Sequence, residues 1–224
     1  MTSLPQRIRV QFSKDGSLRF IGHLDLQRLF ERALRRSGLP LRYSQGFNPK
    51  VRINIACALP LGFSSDCELV DFWLEEPQPL EEIELRFKNA LPGDIHVIGL
   101  TEVPAQLPSL QASVNACEYQ VRFPDELDGQ ELRASFSDLL TSTSLPVERK
   151  KKTVDIRPLI ENWQWQEAGT YPVLHLRLTA TPQSTGRPDE IVRLMGLDPA
   201  ECEIRRVKID MTDNGNGEDS YEIG

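Results

Sequence analysis

The sequence alternates between two hydrophobic periods, and their order restricts the fold more than any other feature. Residues 7–12 alternate polar and apolar side chains, as a half-buried strand does. Residues 24–37 instead repeat apolar side chains with the helical period and are followed by Gly38, which tolerates the left-handed backbone at a helix end. Because strand and helix follow each other so closely, the sequence predicts an α+β fold.

The same two periods continue to residue 100. We predict that residues 18–21 extend the first strand and that a hairpin loop at 45–50 joins two further strands, 39–44 and 51–59. The remaining elements are an added or extended strand at 68–74, an amphipathic helix at 80–90 and a strand at 95–100. The resulting order, β-α-β-β-α-β, is that of a ferredoxin-like unit.

The element order recurs in the second half of the chain. Residues 105–116 are small, polar and contain proline, which predicts a linker. The elements predicted beyond it are strands at 117–123, 171–179 and 202–211, helices at 130–140 and 188–195, and extended segments at 147–156 and 163–166. We therefore predict two ferredoxin-like units with antiparallel sheets, at 1–104 and 117–211, and a disordered acidic tail at 212–224.

Composition excludes several classes of protein. The chain has 224 residues, 39% of them hydrophobic, which is enough for one large or two small domains. It contains neither an apolar run of the ~18–20 residues that a membrane span needs nor the apolar stretch of a signal peptide. The four cysteines lie far apart without a CxxC pair, which disfavours zinc and iron–sulfur sites. We expect a cytoplasmic protein with reduced thiols, without a metal, a cofactor or a membrane association.

Positive charge is concentrated at the amino end. Residues 1–52 contain eleven Lys or Arg and three acidic residues, although the whole chain carries a net charge of -7. Such a segment can attract phosphates locally while the rest of the surface repels them.

The predicted first helix contains a row of arginines opposite its apolar face: Arg28, Arg32, Arg35 and Arg36. Arginine is the side chain best suited to bidentate contacts with phosphate. The alternative is a solvated face with local ion pairs from Asp25 to Arg28 and from Glu31 to Arg35. The sequence leaves both interpretations open.

Two further segments combine features of nucleic-acid interfaces. A Gly- and Pro-containing loop at residues 42–52 carries basic and aromatic side chains that can clamp and stack unpaired bases. A second basic run, residues 149–152, lies in an otherwise acidic region. The alternative for the loop is that its aromatic rings serve packing, and the alternative for the basic run is an ordinary solvated loop. Together with the four helix arginines, the candidate nucleic-acid-binding residues are Arg19, Arg42, Tyr43, Phe47, Asn48, Lys50, Arg52, Arg149, Lys150, Lys151 and Lys152.

No motif of an independent enzyme is present in the sequence. A Walker loop, a dinucleotide fingerprint, GxSxG and HExxH are all missing. His23, which follows a glycine just before the first helix, is a weak catalytic candidate for proton transfer or phosphate contact. The alternative is a structural histidine at the helix start. We therefore do not expect the chain to be an enzyme on its own.

Two blocks of sequence resemble a known bacterial family. They are FSKDGSLRFIGHLDLQRLFERALRRSGLPLRYSQGFNPKVRINIACALPLGFSSDCE (Phe12–Glu68) and KKKTVDIRP (Lys150–Pro158). The family is the radical-SAM-associated domain of unassigned function, whose members occur alone or fused to cobalamin-binding radical-SAM proteins. This chain lacks a CxxxCxxC cluster motif, so radical chemistry would belong to a partner chain or a missing amino-terminal part.

The resemblance also implies a setting for the protein. Stand-alone members are encoded near an RNase E/G-type ribonuclease and ribosomal proteins, which suggests RNA metabolism. The family is distantly similar to the CRISPR repeat-associated RAMP ribonucleases, which grip RNA between two ferredoxin-like units. His23 is the only residue of this chain that would correspond to a catalytic residue of those ribonucleases.

Three functions follow as expectations. The first is a non-catalytic accessory module that binds structured RNA, tRNA or rRNA, for modification or processing by a radical-SAM partner. The second is a protein adaptor that docks on a radical-SAM protein or an RNase E/G-type ribonuclease. The third is a metal-independent ribonuclease that uses His23.

Overall fold

A computed structural model describes residues 5–150, 152–166 and 171–212, and within them the chain divides into two compact units. The first unit ends at Ser113 and the second extends from Val114 to Thr212. Residues 213–224, where a disordered tail was predicted, lie outside the described residues. No helix in the described ranges is long and apolar enough to cross a membrane.

The first unit combines an antiparallel sheet with two long helices. Its elements are β1 (Gln6–Lys14), α1 (His23–Ser37), β2 (Ile53–Ile55), β3 (Ser64–Leu74), α2 (Leu80–Ala90), β4 (Ile95–Val103) and the short α3 (Leu110–Ser113). The strand order is β4-β1-β3-β2, and every neighbouring pair is antiparallel. Gly38 ends α1 with a left-handed φ of 68°, as its position after the apolar repeat predicts.

Helices α1 and α2 pack on one face of this sheet through aromatic side chains. Phe30 of α1 meets Phe12 of β1 edge to face, with ring centroids 4.8 Å apart. Phe87 of α2 lies 5.5 Å from Phe72 of β3 and 6.1 Å from Phe30. All four rings are fully buried, so this cluster fixes both helices against the two central strands.

The opposite face of the same strands carries a buried ion triad. Nε of Arg7 donates to Asp71 at 2.7 Å, and Nε of Arg9 donates to the other carboxylate oxygen at 2.9 Å. The remaining nitrogens of Arg7 donate to the backbone oxygens of Leu107 and Pro108, at 2.6 and 2.8 Å. Asp71 is fully buried, so one carboxylate holds β1, β3 and the chain after β4 together.

The second unit repeats the four-strand arrangement with an added hairpin. Its elements are β5 (Val114–Arg122), α4 (Gly129–Thr141), β6 (Pro146–Arg149), β7 (Lys152–Asp155), β8 (Ile160–Trp165), β9 (Val173–Thr179), α5 (Pro188–Leu194) and β10 (Glu203–Met211). Strands β10, β5, β9 and β8 follow one another in an antiparallel sheet, and β6 pairs with β7 separately. The predicted α+β class with antiparallel pairing is confirmed.

Several predicted strands of the first unit were wrong. Residues 18–21 do not extend β1, because Gly16–Phe20 form a 3-10 helix. In segment 39–44 only isolated bridges form, at Leu41 and Tyr43, and 51–59 contains only the three residues of β2. The long central strand is β3, which begins at Ser64, four residues before the segment predicted there. The predicted linker at 105–116 contains α3 and the start of β5.

The ion triad makes a prediction about stability. Replacing Asp71 by Asn removes the buried carboxylate charge that Arg7 and Arg9 share, and we expect the free energy of unfolding of the first unit to fall by about 3 kcal/mol. Asp25→Asn is the matched control, because Asp25 forms an exposed pair with Arg28 and its loss costs under about 0.5 kcal/mol. Urea unfolding followed by circular dichroism measures both. Equal unfolding midpoints for the two variants would contradict the structural role of the triad.

Candidate nucleic-acid interface

Helix α1 presents its arginines to solvent, as its period predicts. Leu26, Phe30, Ala33 and Leu34 are its buried residues, and all four arginines lie in the exposed class. The helix therefore carries a row of cations on one side and the core of the first unit on the other.

The arginines of α1 differ in what they contact. Arg28 pairs with Asp25 at 3.0 Å, and Arg36 donates to the backbone oxygen of Ala90 at the end of α2. The alternative pair between Glu31 and Arg35 does not form. Arg32 and Arg35 have neither an ion pair nor a hydrogen bond to any part of the chain that the structure describes. These two arginines can therefore bind a phosphate without first breaking an internal contact.

A second group of cations lies at the base of the loop formed by residues 42–52, here called the basic loop. The backbone N–H of Arg42 donates to Trp73 at the end of β3, and that of Arg52 donates to Arg42, both at 2.8 Å. These bonds place the Arg52 guanidinium over the Trp73 ring, 4.4 Å from its centroid. Arg7 approaches the same ring at 5.1 Å.

Positive charge at the base of the basic loop is only partly compensated. Arg42 has one distant partner, Glu75 at 3.8 Å, and Arg52 has no ion pair within the described ranges. Burial lowers the pKa of Arg52, and the positive charges of Arg42 and Arg7 lower it further. An anion bound here would relieve repulsion between like charges.

The tip of the basic loop projects an aromatic ring into solvent. Ser44 and Lys50 close the loop through two hydrogen bonds, at 2.8 and 3.1 Å, below the bridge between Tyr43 and Val51. Phe47, between them, is fully exposed, and the following Asn48 is also exposed. The ring of Phe47 is therefore accessible from solvent at the tip of the basic loop.

The contacts of Arg19 involve neither the arginines of α1 nor the cations of the basic loop. It belongs to the 3-10 helix after β1, where its guanidinium lies 4.7 Å from the centroid of the Phe20 ring. The backbone oxygen of Arg19 accepts a hydrogen bond from Gly62 at 2.8 Å. The structure thus joins Arg19 to an exposed phenylalanine rather than to the arginine row of α1.

In the second unit the described residues of the predicted basic run, Arg149, Lys150 and Lys152, lie at the end of the β6–β7 hairpin. Arg149 forms a bidentate ion pair with Glu190 of α5, at 2.7 and 2.5 Å, so its charge is already compensated within the unit. Lys150, with a φ of 45°, and Lys152 are exposed and have no partner in the described part of the chain. Lys151 lies outside the described residues.

A cleft of about 890 Å³ separates this hairpin from α5. Its walls include Arg187 and Arg193, which share the carboxylate of Asp189 at 3.1 and 2.8 Å. Neither arginine is distinctive in the sequence, because charges beside a short helix are usual on any solvated face. They add to the positive charge that Lys150 and Lys152 supply.

Asp155 fixes the other end of the hairpin. Its Oδ1 accepts the backbone N–H groups of Leu145 and Arg157, at 2.8 and 3.0 Å. The bond from Leu145 is the main reason that the pKa of Asp155 is lowered, followed by the bond from Arg157. The carboxylate therefore closes the hairpin at its base as an anion.

His23 is the first residue of α1 and is half-buried, and its catalytic role stays a prediction. No group of His, Cys, Asp and Glu side chains within the described ranges can hold a metal ion.

The chain belongs to a bacterial family described as "uncharacterized protein conserved in bacteria" (DUF2344), whose model matches residues 7–188. The bacterial family predicted from the sequence is confirmed at this level. The description names neither an activity nor a partner, so the association with radical-SAM proteins stays a prediction. No curated protein matches the sequence at a significant level.

Solved structures overlap with the chain at low similarity. A chain of an archaeal box H/ACA sRNP Nop10–Cbf5 complex is 9% identical, with 92% of this chain and 48% of that chain covered and a TM-score of 0.42. A Cbf5–Nop10–Gar1 complex gives 9% identity, coverage of 91% and 48%, and a TM-score of 0.45. An unknown protein from Galdieria sulphuraria is 14% identical over 93% and 99%, with a TM-score of 0.29. The chain spans about half the length of the matched chains in the two complexes, and scores this low carry no argument about function.

The two basic residues that flank the hairpin turn are expected to respond differently to truncation. Arg149→Ala leaves the buried Glu190 carboxylate without its partner, and we expect the free energy of unfolding to fall by about 2–3 kcal/mol. Lys152→Ala removes an exposed cation and changes it by less than about 0.5 kcal/mol. Urea unfolding measures both. A loss as small for Arg149→Ala as for Lys152→Ala would show that the contact with Glu190 does not hold the hairpin.

Proposed function

We propose that this member of the DUF2344 family binds RNA as a non-catalytic accessory module. The observation that carries the proposal is the composition of the basic loop. It combines a fully exposed Phe47 at its tip with Arg42 and Arg52 at its base, and Arg52 has no carboxylate partner in the described part of the chain.

Uncompensated cations favour a phosphate-bearing ligand. The chain as a whole is acidic, so an arginine that lacks a carboxylate neighbour stands out against its surroundings. Three cations of the first unit have no ion pair among the described residues: Arg32 and Arg35 on α1 and Lys50 on the basic loop. Guanidinium groups bind phosphate oxygens through paired N–H donors, which supports a polyanion as the ligand of this unit.

The exposed aromatic ring favours RNA with accessible bases. Base-paired RNA hides its base faces, whereas loops, bulges and single strands offer them for stacking on aromatic side chains. Phe47 has the exposure that stacking requires, and the loop is anchored at its base by a backbone hydrogen bond from Arg42 to β3. An accessory module of this kind would recognise structured RNA at its unpaired positions, as in tRNA or rRNA.

We further infer that each unit is ferredoxin-like. The order β4-β1-β3-β2 in the first unit and β10-β5-β9-β8 in the second support this inference, with β6 and β7 as an insertion. A radical-SAM protein as the partner that receives the RNA is also part of the proposal, and that part rests on the sequence resemblance alone.

The α1 arginines give the first test. The double variant Arg32→Gln plus Arg35→Gln removes two phosphate contacts, so the slope of log K against log salt concentration is expected to flatten by about 1.4–1.8. The matched control is Arg86→Gln plus Lys88→Gln on α2, whose side chains pair with Glu82 and Glu84. Filter binding of tRNA from 50 to 300 mM salt measures all three proteins. An unchanged slope in the α1 variant would refute a role of this helix in binding.

Phe47 gives the second test. Phe47→Ala removes a stacking surface that makes no packing contact, so we expect roughly a tenfold loss of affinity for single-stranded RNA and no change in thermal stability. Leu61→Ala is the control, because Leu61 is a similarly exposed apolar residue of the same unit outside the basic loop. Fluorescence anisotropy with a labelled 12-nucleotide RNA compares the two. If both variants bind as the wild type does, Phe47 does not stack on RNA.

A further inference from the structure

The second unit contains an aromatic pocket that the basic hairpin does not include. It lies between α4 and β8, has a volume of about 410 Å³, and is here called the tryptophan pocket. Trp163, Trp165, Phe136, Arg133 and Arg157 form most of its wall. Its volume lies within the range of roughly 300–1,000 Å³ that small-ligand sites occupy.

The rings of the pocket are held in place by one another. Trp165 stacks on Phe123 with centroids 5.7 Å apart, and Arg133 covers it at 5.3 Å. Phe136 of α4 meets both tryptophans edge to face, at 6.1 Å. Because Phe136 is buried and fixes the ring of Trp163 from one side, this tryptophan is preorganised as a rigid surface.

Trp163 remains open to solvent in this arrangement. Its side chain is 41% exposed, although a tryptophan in a core is normally covered on most of its surface. Phe123 and Arg133 both contact the ring of Trp165, so Trp163 offers the more accessible indole of the pocket. A planar ligand can stack on it without displacing a side chain of the core.

The charge of the pocket wall is positive. Two arginines and no acidic residue are among the described residues that line it, in a chain with a net charge of -7. Arg133 uses one nitrogen for the backbone oxygen of Gln166, at 3.0 Å. Arg157 forms no ion pair within the described ranges, although its charge contributes to the lowered pKa of the neighbouring Asp155. A ligand that combines a planar ring with negative charge fits this wall.

A second aromatic–arginine pair in the same unit, formed by Tyr171 and Arg122, differs from the tryptophan pocket in its charge. Tyr171 is 37% exposed, and Arg122 lies over its ring at 3.6 Å. That guanidinium, however, pairs with Glu203 at 3.2 Å and with Asp125 at 3.5 Å. Two carboxylates thus pair with Arg122, whereas neither Arg133 nor Arg157 forms an ion pair among the described residues.

We propose that the tryptophan pocket binds an unpaired nucleobase together with its phosphate, with the base stacked on Trp163 and the phosphate held by Arg157 and Arg133. This inference rests on the proposed RNA binding and makes it specific, because it requires RNA with at least one unstacked base. Stacking on aromatic rings accepts every base, so the pocket selects single-stranded structure rather than sequence.

The test uses the full chain and two RNAs of equal length, a 12-nucleotide single strand and a 12-base-pair duplex. The wild type is expected to bind the single strand more tightly, and Trp163→Ala to lose about tenfold in that affinity with little change for the duplex. Trp163→Phe retains a stacking ring and should recover most of the loss. Tyr171→Ala is the matched control and should bind both RNAs as the wild type does. Circular dichroism melting confirms that each variant is folded.

The outcomes separate this inference from the proposed function. If the wild type binds RNA and Trp163→Ala binds the single strand equally well, the pocket assignment is overturned and RNA binding stands. If the wild type binds neither RNA at low salt, both proposals fail.

A third measurement distinguishes two sources of the same chemistry. Uridine monophosphate is added to the wild type and to Trp163→Ala, and tryptophan fluorescence is measured with and without the single strand. Quenching that occurs only in the wild type and that the single strand does not reduce would assign the pocket to free nucleotides and overturn the RNA assignment. Competition by the single strand supports it.

Discussion

The first unit depends on one buried carboxylate. Asp71 pairs with both Arg7 and Arg9 of the neighbouring strand and thereby fixes the register between β1 and β3. The same end of β3 bonds to the base of the basic loop, because Trp73 accepts the N–H of Arg42 and carries the Arg52 guanidinium on its ring. A shift of β3 would therefore move the cations of the basic loop as well as the core.

Total charge is a poor measure of the charge that a ligand can use. Of the eleven cations in residues 1–52, Arg7 and Arg9 are buried on Asp71 and Arg36 is bonded to the end of α2. In the second unit Arg149 is committed to Glu190 in the same way. The sequence cannot separate these arginines from Arg32 and Arg35, because partners that lie tens of residues away decide which guanidinium groups stay free.

Local patterns explain where prediction from sequence succeeded. The bounds of α1 and α2 follow from an apolar repeat that ends at a glycine or a proline, and the structure agrees to within one residue. Strand β3 was underestimated because its first three residues, Ser64, Ser65 and Asp66, are polar and lack the apolar alternation of a half-buried strand. The tryptophan pocket was missed for a different reason, since Arg133 and Trp165 come from elements separated by the inserted hairpin.

Each unit brings a guanidinium group onto a tryptophan ring without an ion pair among the described residues: Arg52 on Trp73 in the first and Arg133 on Trp165 in the second. An acidic chain gains little from bulk attraction to RNA, since most of its surface repels phosphates. In the proposed mode of RNA binding, affinity would come from a small number of sites where cations and rings act together. The proposed stacking on Phe47 and Trp163 is screened by salt less than phosphate contacts are, so its share of the affinity would grow with ionic strength and favour RNAs with unpaired bases over uniform duplexes.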